Sequence, residues 1–174
     1  MIQMRLPLIL AAALAVATPA LAQQYDFTPD ATLACMEKQK MHGADIACVG
    51  NSARACFQKM KSPSVSDIAA CQQAEAEYWK ARMDSAYEHL LGLAEAADAD
   101  FAKAQGEPQH ATMVQDLRDE QEQWNSWQKT RCWVEAMMRR GTPYRTTAAA
   151  GCTMKQIAAR AMFMESAVSY MENK

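Results

Sequence analysis

No stretch of this chain alternates apolar and polar residues with period two over a useful length, so nothing predicts a β-sheet. There is no G-x-S-x-G elbow, no glycine-rich phosphate loop and no H-E-x-x-H pair. Those absences remove the common signatures of serine hydrolases, nucleotide binders and zinc peptidases. No cysteines are spaced C-x-x-C, which argues against a thiol oxidoreductase. Histidine is scarce: His42, His89 and His110 lie far apart, at no zinc-ligand spacing. Past the first two dozen residues no apolar run is long enough to span a bilayer. Positive charge is not in excess, with 18 Lys and Arg against 20 Asp and Glu, which argues against nucleic acid as the main partner.

What is present begins with a targeting segment. Arg5 supplies a positive start, Leu6 to Val16 is apolar, and Ala20-Leu21-Ala22 fits a small-x-small cleavage site. The expected cut follows Ala22, with no cysteine beside it to carry a lipid. Residues 1–22 therefore read as a signal peptide and 23–174 as one domain. A periplasmic or secreted protein is expected, and export favours oxidised cysteines. The roughly 150 residues after the cut suffice for one real core. Loss of Arg5 leaves that part mildly acidic.

Turn signals then divide the chain into helices. Thr28-Pro29-Asp30 predicts a helix start, with Thr28 as the cap and the helix running to about Met41. His42-Gly43 breaks it, and a second helix follows over about Ala44–Met60, with Gly50-Asn51 as a possible interruption. Ser64 and Asp67 resemble a capping box after Pro63, opening a long helix from about Ser66 to Ala104. Trp79, Met83, Tyr87, Leu90, Ala94, Ala97 and Phe101 step by three and four along it, which draws one buried stripe. A second long helix is predicted over about Gln109–Arg139, burying Met113, Leu117, Trp124, Trp127, Val134 and Met138; Trp133 falls off that stripe. Gly141 and Pro143 end it. Thr146 or Thr147 caps a last helix to about Tyr170, with Met154, Ile157, Ala161, Met164, Val168 and Met171 inward. The expected fold is all-α: two long antiparallel helices with shorter N- and C-terminal helices.

The six cysteines bracket these turns in neighbouring pairs. Antiparallel helices bring such residues to matching heights, which a disulfide requires. The expected bridges are Cys35–Cys48, Cys56–Cys71 and Cys132–Cys152. Sequence alone leaves other connectivities open, crossed pairing among the first four cysteines foremost. Thirteen methionines fall mostly on helix stripes and read as core fillers rather than Cu(I) ligands, so no cofactor or metal is expected. Acidic clusters such as Glu75 with Glu77, and Asp119 with Glu120 and Glu122, read as solvated helix surface. No nucleophile or acid pair stands out, and no enzyme is expected. The most suggestive surface is the basic turn Arg139-Arg140-Gly141-Thr142-Pro143-Tyr144-Arg145, with Arg139, Arg140, Tyr144 and Arg145 as candidate partner-binding residues. Its plainer role is to place arginines at a helix carboxyl end.

With these residues assembled, the chain resembles the LprI-type lysozyme inhibitor family, in its N-terminal domain. Met83-Asp84 with Tyr87 is similar to that family's Leu-Asn-x-x-Tyr segment. Leu117, Gln121, Trp124, Trp127 and Cys132 resemble its Leu-x3-Gln-x2-Trp-x2-aromatic stretch ending in Cys. Gly141, Cys152 and Arg160 resemble its closing Gly, Cys and Arg. Departures stand at Gln128-Lys129, where the family has Arg-Asp, and at Ile157, where it has Thr. The resemblance implies a small helical protein of the bacterial envelope with a protein partner, for which a c-type lysozyme is the candidate. The competing expectation is a non-enzymatic envelope structural or assembly factor with an endogenous partner.

Overall fold

The computed structural model describes residues 25–39, 43–105 and 112–173. It holds α1 (Asp30–Met36), a 3₁₀ turn (Ala44–Cys48), α2 (Asn51–Gln58), α3 (Val65–Gln105), α4 (Met113–Met137) and α5 (Arg145–Glu172), with no strand among the described residues. The all-α expectation holds. The signal segment, His42 and His110 lie outside the described residues.

Helices α3, α4 and α5 run up, down and up. Asp98 of α3 accepts from the backbone N–H groups of Met113 and Val114 at 3.0 and 3.1 Å, so α4 starts beside the far end of α3 and returns antiparallel. α5 then runs parallel to α3. Arg82 grips Glu165 with two bonds of 2.7 Å, and His89 meets Glu172 seven residues further along each helix. α5 has 28 residues against 25 for α4, so the last helix is not a short one. The core lies chiefly between α3 and α5. Cys71, Ala76, Trp79 and Met83 pack with Met154, Ala158 and Ala161, and a second cluster follows around Leu90 and Met164. Alanines at this seam let the two helices approach closely. The predicted α3 stripe is buried at Trp79, Met83, Leu90 and Ala94, half-buried at Tyr87, and ends at Phe101, which is exposed because α5 finishes at Glu172, level with His89.

The three disulfides pair as expected, with Cα separations of 5.6 Å for Cys35–Cys48, 5.8 Å for Cys56–Cys71 and 5.4 Å for Cys132–Cys152. The first two fasten the α1–3₁₀–α2 lobe to itself and to α3. Ser64 and Asp67 form the expected box: Ser64 N–H donates to Asp67 at 2.8 Å, and Asp67 N–H donates to Ser64 Oγ at 3.2 Å.

Other local expectations are corrected. α1 ends at Met36, not near Met41, and its cap is Pro29 without a side-chain bond, so Thr28 does not cap it. Gly50, at φ 98°, does split the second segment, and an added Cβ there would sit 3.1 Å from Met154 Cε. α5 starts at Arg145 with Tyr144 as its cap residue, and neither Thr146 nor Thr147 caps it; the Thr147 hydroxyl instead donates to Tyr144 O.

The largest correction concerns α4. Its buried residues are Gln128, Cys132 and Ala136. Met113, Trp127, Val134 and Met138, expected inside, are exposed at 38%, 52%, 47% and 66%. The bridge from Cys132 to α5 fixes which side faces inward. Residues at 128, 132 and 136 share that side, whereas 127, 134 and 138 point roughly 100–160° away at about 100° per residue. Only Leu117 and Trp124 of the predicted stripe keep partial burial against the core.

Candidate functional site

The α4–α5 turn is built from short-range bonds. Past the end of α4, Arg139 N–H and Arg140 N–H donate to Ala136 O and Met137 O at 3.1 Å each. Gly141 takes φ 82°, a left-handed conformation that glycine adopts without strain and that reverses the chain. The Thr142 hydroxyl then donates to Arg139 O at 2.8 Å and accepts from Tyr144 N–H at 3.3 Å. Pro143 stiffens the tip. Below it, the Cys132–Cys152 bridge ties the two helices together.

All four candidate residues, Arg139, Arg140, Tyr144 and Arg145, are exposed. The turn divides them. Arg139 and Tyr144 border an open cleft of ≈ 550 Å³ between α3, α4 and α5, which Gln72, Arg131, Glu135 and Lys155 also line. Arg145 lies on the opposite flank, its guanidinium carbon 5.1 Å from the Trp133 ring centre. Trp133 is 59% exposed, in keeping with its place off the predicted stripe. Arg139, Arg140 and Arg145 form no ion pair with the described residues, whereas Arg131 is taken up by Glu135 at 3.1 Å. The turn therefore presents guanidinium groups with unspent donors, suited to carboxylates of a partner.

Two buried polar centres lie elsewhere, and sequence reasoning missed one of them. Glu75, expected on the surface, is fully buried. Its Oε1 accepts from Gly50 N–H at 2.8 Å, from the Thr32 hydroxyl at 2.9 Å and from Trp79 Nε1 at 3.4 Å; its Oε2 accepts from Ala53 N–H at 2.6 Å. A carboxylate thus sits at the positive end of α2 and satisfies donors that α2 itself leaves open. The signal was available: Glu75 lies in step with Cys71, Trp79 and Met83, on the apolar row of α3.

The second centre gathers residues that carried the family resemblance. Arg160, buried on α5, donates to Gln121 Oε1 at 3.0 and 2.8 Å and to both oxygens of Glu120, one at 2.6 Å. Its guanidinium lies 5.4 Å from the Trp124 ring and 5.3 Å from Phe163. Tyr87 packs in the adjoining cluster with Leu117, and burial raises its pKa, against the pull of Arg118 and Arg160. These side chains knit α3, α4 and α5 together. They are scaffold, and the turn is the surface they hold in place. Among the described residues no three His, Cys, Asp or Glu side chains group so as to hold a metal ion.

A family model described as Lysozyme inhibitor LprI matches residues 56–163, from the second bridge through the Arg160 cluster. A Rhodobacter capsulatus protein named "Uncharacterized 17.7 kDa protein in puhA 5′ region" is 30% identical over 138 residues, covering 78% of this chain and 83% of that protein. No solved structure matches. The match spans the helices that bury Arg160 and carry the Cys132–Cys152 bridge, and on that ground the chain belongs to the LprI lysozyme inhibitor family.

Proposed function

We propose that the protein is an exported, non-enzymatic inhibitor that binds a c-type lysozyme. Family membership supplies the class of partner. The observation that carries the reading is the 139–145 turn: exposed, tied by a disulfide, and bearing three guanidinium groups free of ion pairs with the described residues. A c-type lysozyme is basic overall but works with carboxylates in its cleft. In this reading the turn enters that cleft, and Arg140 or Arg145 pairs with a carboxylate there. Stiffness favours the contact, since little freedom is lost on binding. Three disulfides and the leader expected over residues 1–22 support an oxidising compartment outside the cytoplasm.

The test is binding of the oxidised chain from Gln23 to a c-type lysozyme, with muramidase activity followed in parallel. The expected result is tight binding with loss of activity. Arg140→Glu with Arg145→Glu should abolish inhibition and leave the helical CD spectrum unchanged. Inhibition that survives the double reversal removes the turn from the contact. Absence of binding at high concentration removes lysozyme as partner and favours an envelope factor with a partner from its own cell.

A further inference from the structure

The outward face of α4 is chemically odd for a surface helix. Trp127, Trp133, Val134 and Met138 are exposed at 52%, 59%, 47% and 66%. At about 100° per residue they fall within an arc of roughly 140°, and Trp127, Val134 and Met138 within roughly 40° of one another. From Gln123 to Met138 the other residues on that arc are Gln123, Ser126, Thr130 and Met137, so it carries no charge. The seam that meets the rest of the protein, Gln128, Cys132 and Ala136, lies outside it.

Cations border this arc on both sides. Arg131 flanks Trp127 and Val134. Lys129 and Arg140 flank Trp133, and Arg145 stacks on its ring. Between Trp127 and Arg145 the sequence carries Lys129, Arg131, Arg139, Arg140 and Arg145 against one carboxylate, Glu135, itself paired with Arg131. The start of the same helix has the opposite character, with Asp116, Asp119, Glu120 and Glu122.

We propose that this face of α4 docks on an anionic phospholipid surface. Indole rings and a thioether on one face, bounded by long basic side chains, match the membrane-facing side of an interfacial helix segment. Tryptophan favours that region because its body is apolar and its N–H polar. Arginine and lysine lay their stems along apolar surface and carry their charges to the headgroups. Charge opposes a second copy docked through this same end, since two such ends would set five cations against five. It also sets the orientation. The carboxylates near the start of α4 are repelled by an anionic leaflet, so the end from Trp127 to Arg145 seats and the α3–α4 end stands off. No helix of the described residues is long and apolar enough to cross a membrane, so the contact is with its surface. The inference does not rest on the lysozyme reading, and its test contains no lysozyme.

The oxidised chain from Gln23, without the apolar leader, is mixed with vesicles of phosphatidylcholine alone and of phosphatidylcholine with phosphatidylglycerol. Partition is read by flotation and by tryptophan emission. The expected result is at least about tenfold stronger partition onto the anionic vesicles, weakened by salt. A blue shift should accompany it, because Trp127 and Trp133 leave water while Trp79 is already buried. Trp127→Ser with Trp133→Ser should lose the blue shift and at least about tenfold in partition, with an unchanged CD spectrum. Equal partition onto both vesicles, or anionic partition that the double variant retains, overturns the proposal. Capture by immobilised poly-glutamate with no partition onto phosphatidylglycerol vesicles also overturns it and assigns the face to an acidic protein.

Discussion

Glu75 occupies a position that the helical repeat marks as apolar, and it is tolerated because every direction around its carboxylate holds a donor. Two are backbone N–H groups at the start of α2, one is a hydroxyl on α1 and one is the indole of its own helical neighbour. Thr32 extends the centre by exchanging bonds with Ser52: Thr32 N–H donates to Ser52 Oγ at 2.9 Å and Ser52 N–H donates to Thr32 Oγ1 at 3.0 Å. Removing the carboxylate leaves buried donors unpaired, which costs more than the net worth of the bonds. Glu75→Ala should therefore destabilise the oxidised protein by about 3 kcal/mol, read from urea melts. A loss under about 1 kcal/mol would mean that water or relaxation replaces the carboxylate. Charge alone hid this residue from sequence reading. A glutamate next to Glu77 looks like solvated surface, and only its register with Cys71 and Trp79 points inward. Arg160 and Gln121 were legible as scaffold positions through the family pattern, but the partner Glu120 was not, because it reads as solvated surface on a helix whose rotation was misread.

At the level of elements, the faces of α3 and α5 and several turn signals were legible, whereas the caps of α1 and α5 and the face of α4 were not. The Ser64–Asp67 box, the split at Gly50 and the turn at Gly141 follow from local chemistry, which the sequence carries within a few residues. The inward face of α4 depends on a distant partner. Counting Trp, Val and Met as core places 127, 134 and 138 inside. The Cys132–Cys152 bridge and the small Ala136 place 128, 132 and 136 there instead. Cys132 contradicted the apolar count within the sequence itself, since one face cannot hold both sets. The box at the start of α3 also makes a prediction. Hydrogen bonds from Ser64, side chain first and then backbone, hold the Asp67 carboxyl below the usual aspartate value, with the Tyr25 hydroxyl adding a third. A carboxyl depressed in the folded state contributes stability that is full above its unfolded value, about pH 4, and is lost as pH falls through the folded value. Asp67→Asn should lower the melting temperature at neutral pH and narrow its gap from the parent as pH falls below about 4. A constant gap from neutral to acid pH would show that the ionised carboxylate does not stabilise the helix start.

The whole molecule depends on its bridges in a way the core explains. α3 and α5 share a buried seam, but α4 buries only three residues and the N-terminal lobe is built from two short helices and a 3₁₀ turn. Such parts lack the apolar area to hold themselves in place, and each is where a bridge lies. Cys35–Cys48 closes 13 residues within the lobe, Cys56–Cys71 ties α2 to α3 across 15, and Cys132–Cys152 ties α4 to α5 across 20. A bridge closing a loop of that size stabilises by about 2–4 kcal/mol, against a total stability for a domain of about 5–15 kcal/mol. Three of them together rival the whole. The same bridges decide whether the Arg139–Arg145 turn is a stiff projection or a floppy loop, and whether α4 keeps its tryptophans outward. Reduction with excess thiol should accordingly lower the melting temperature by at least about 12 °C, at about 2–4 °C per kcal/mol, and abolish the binding proposed for the turn and for α4 before the α3–α5 seam melts. Hydrogen exchange of the reduced protein should show α1, α2 and α4 opening first, with α3 and α5 protected longest. If the reduced and oxidised forms instead melt within a few degrees of each other, the packing of α4 and the lobe is self-sufficient, and the oxidising compartment is not a condition of the fold.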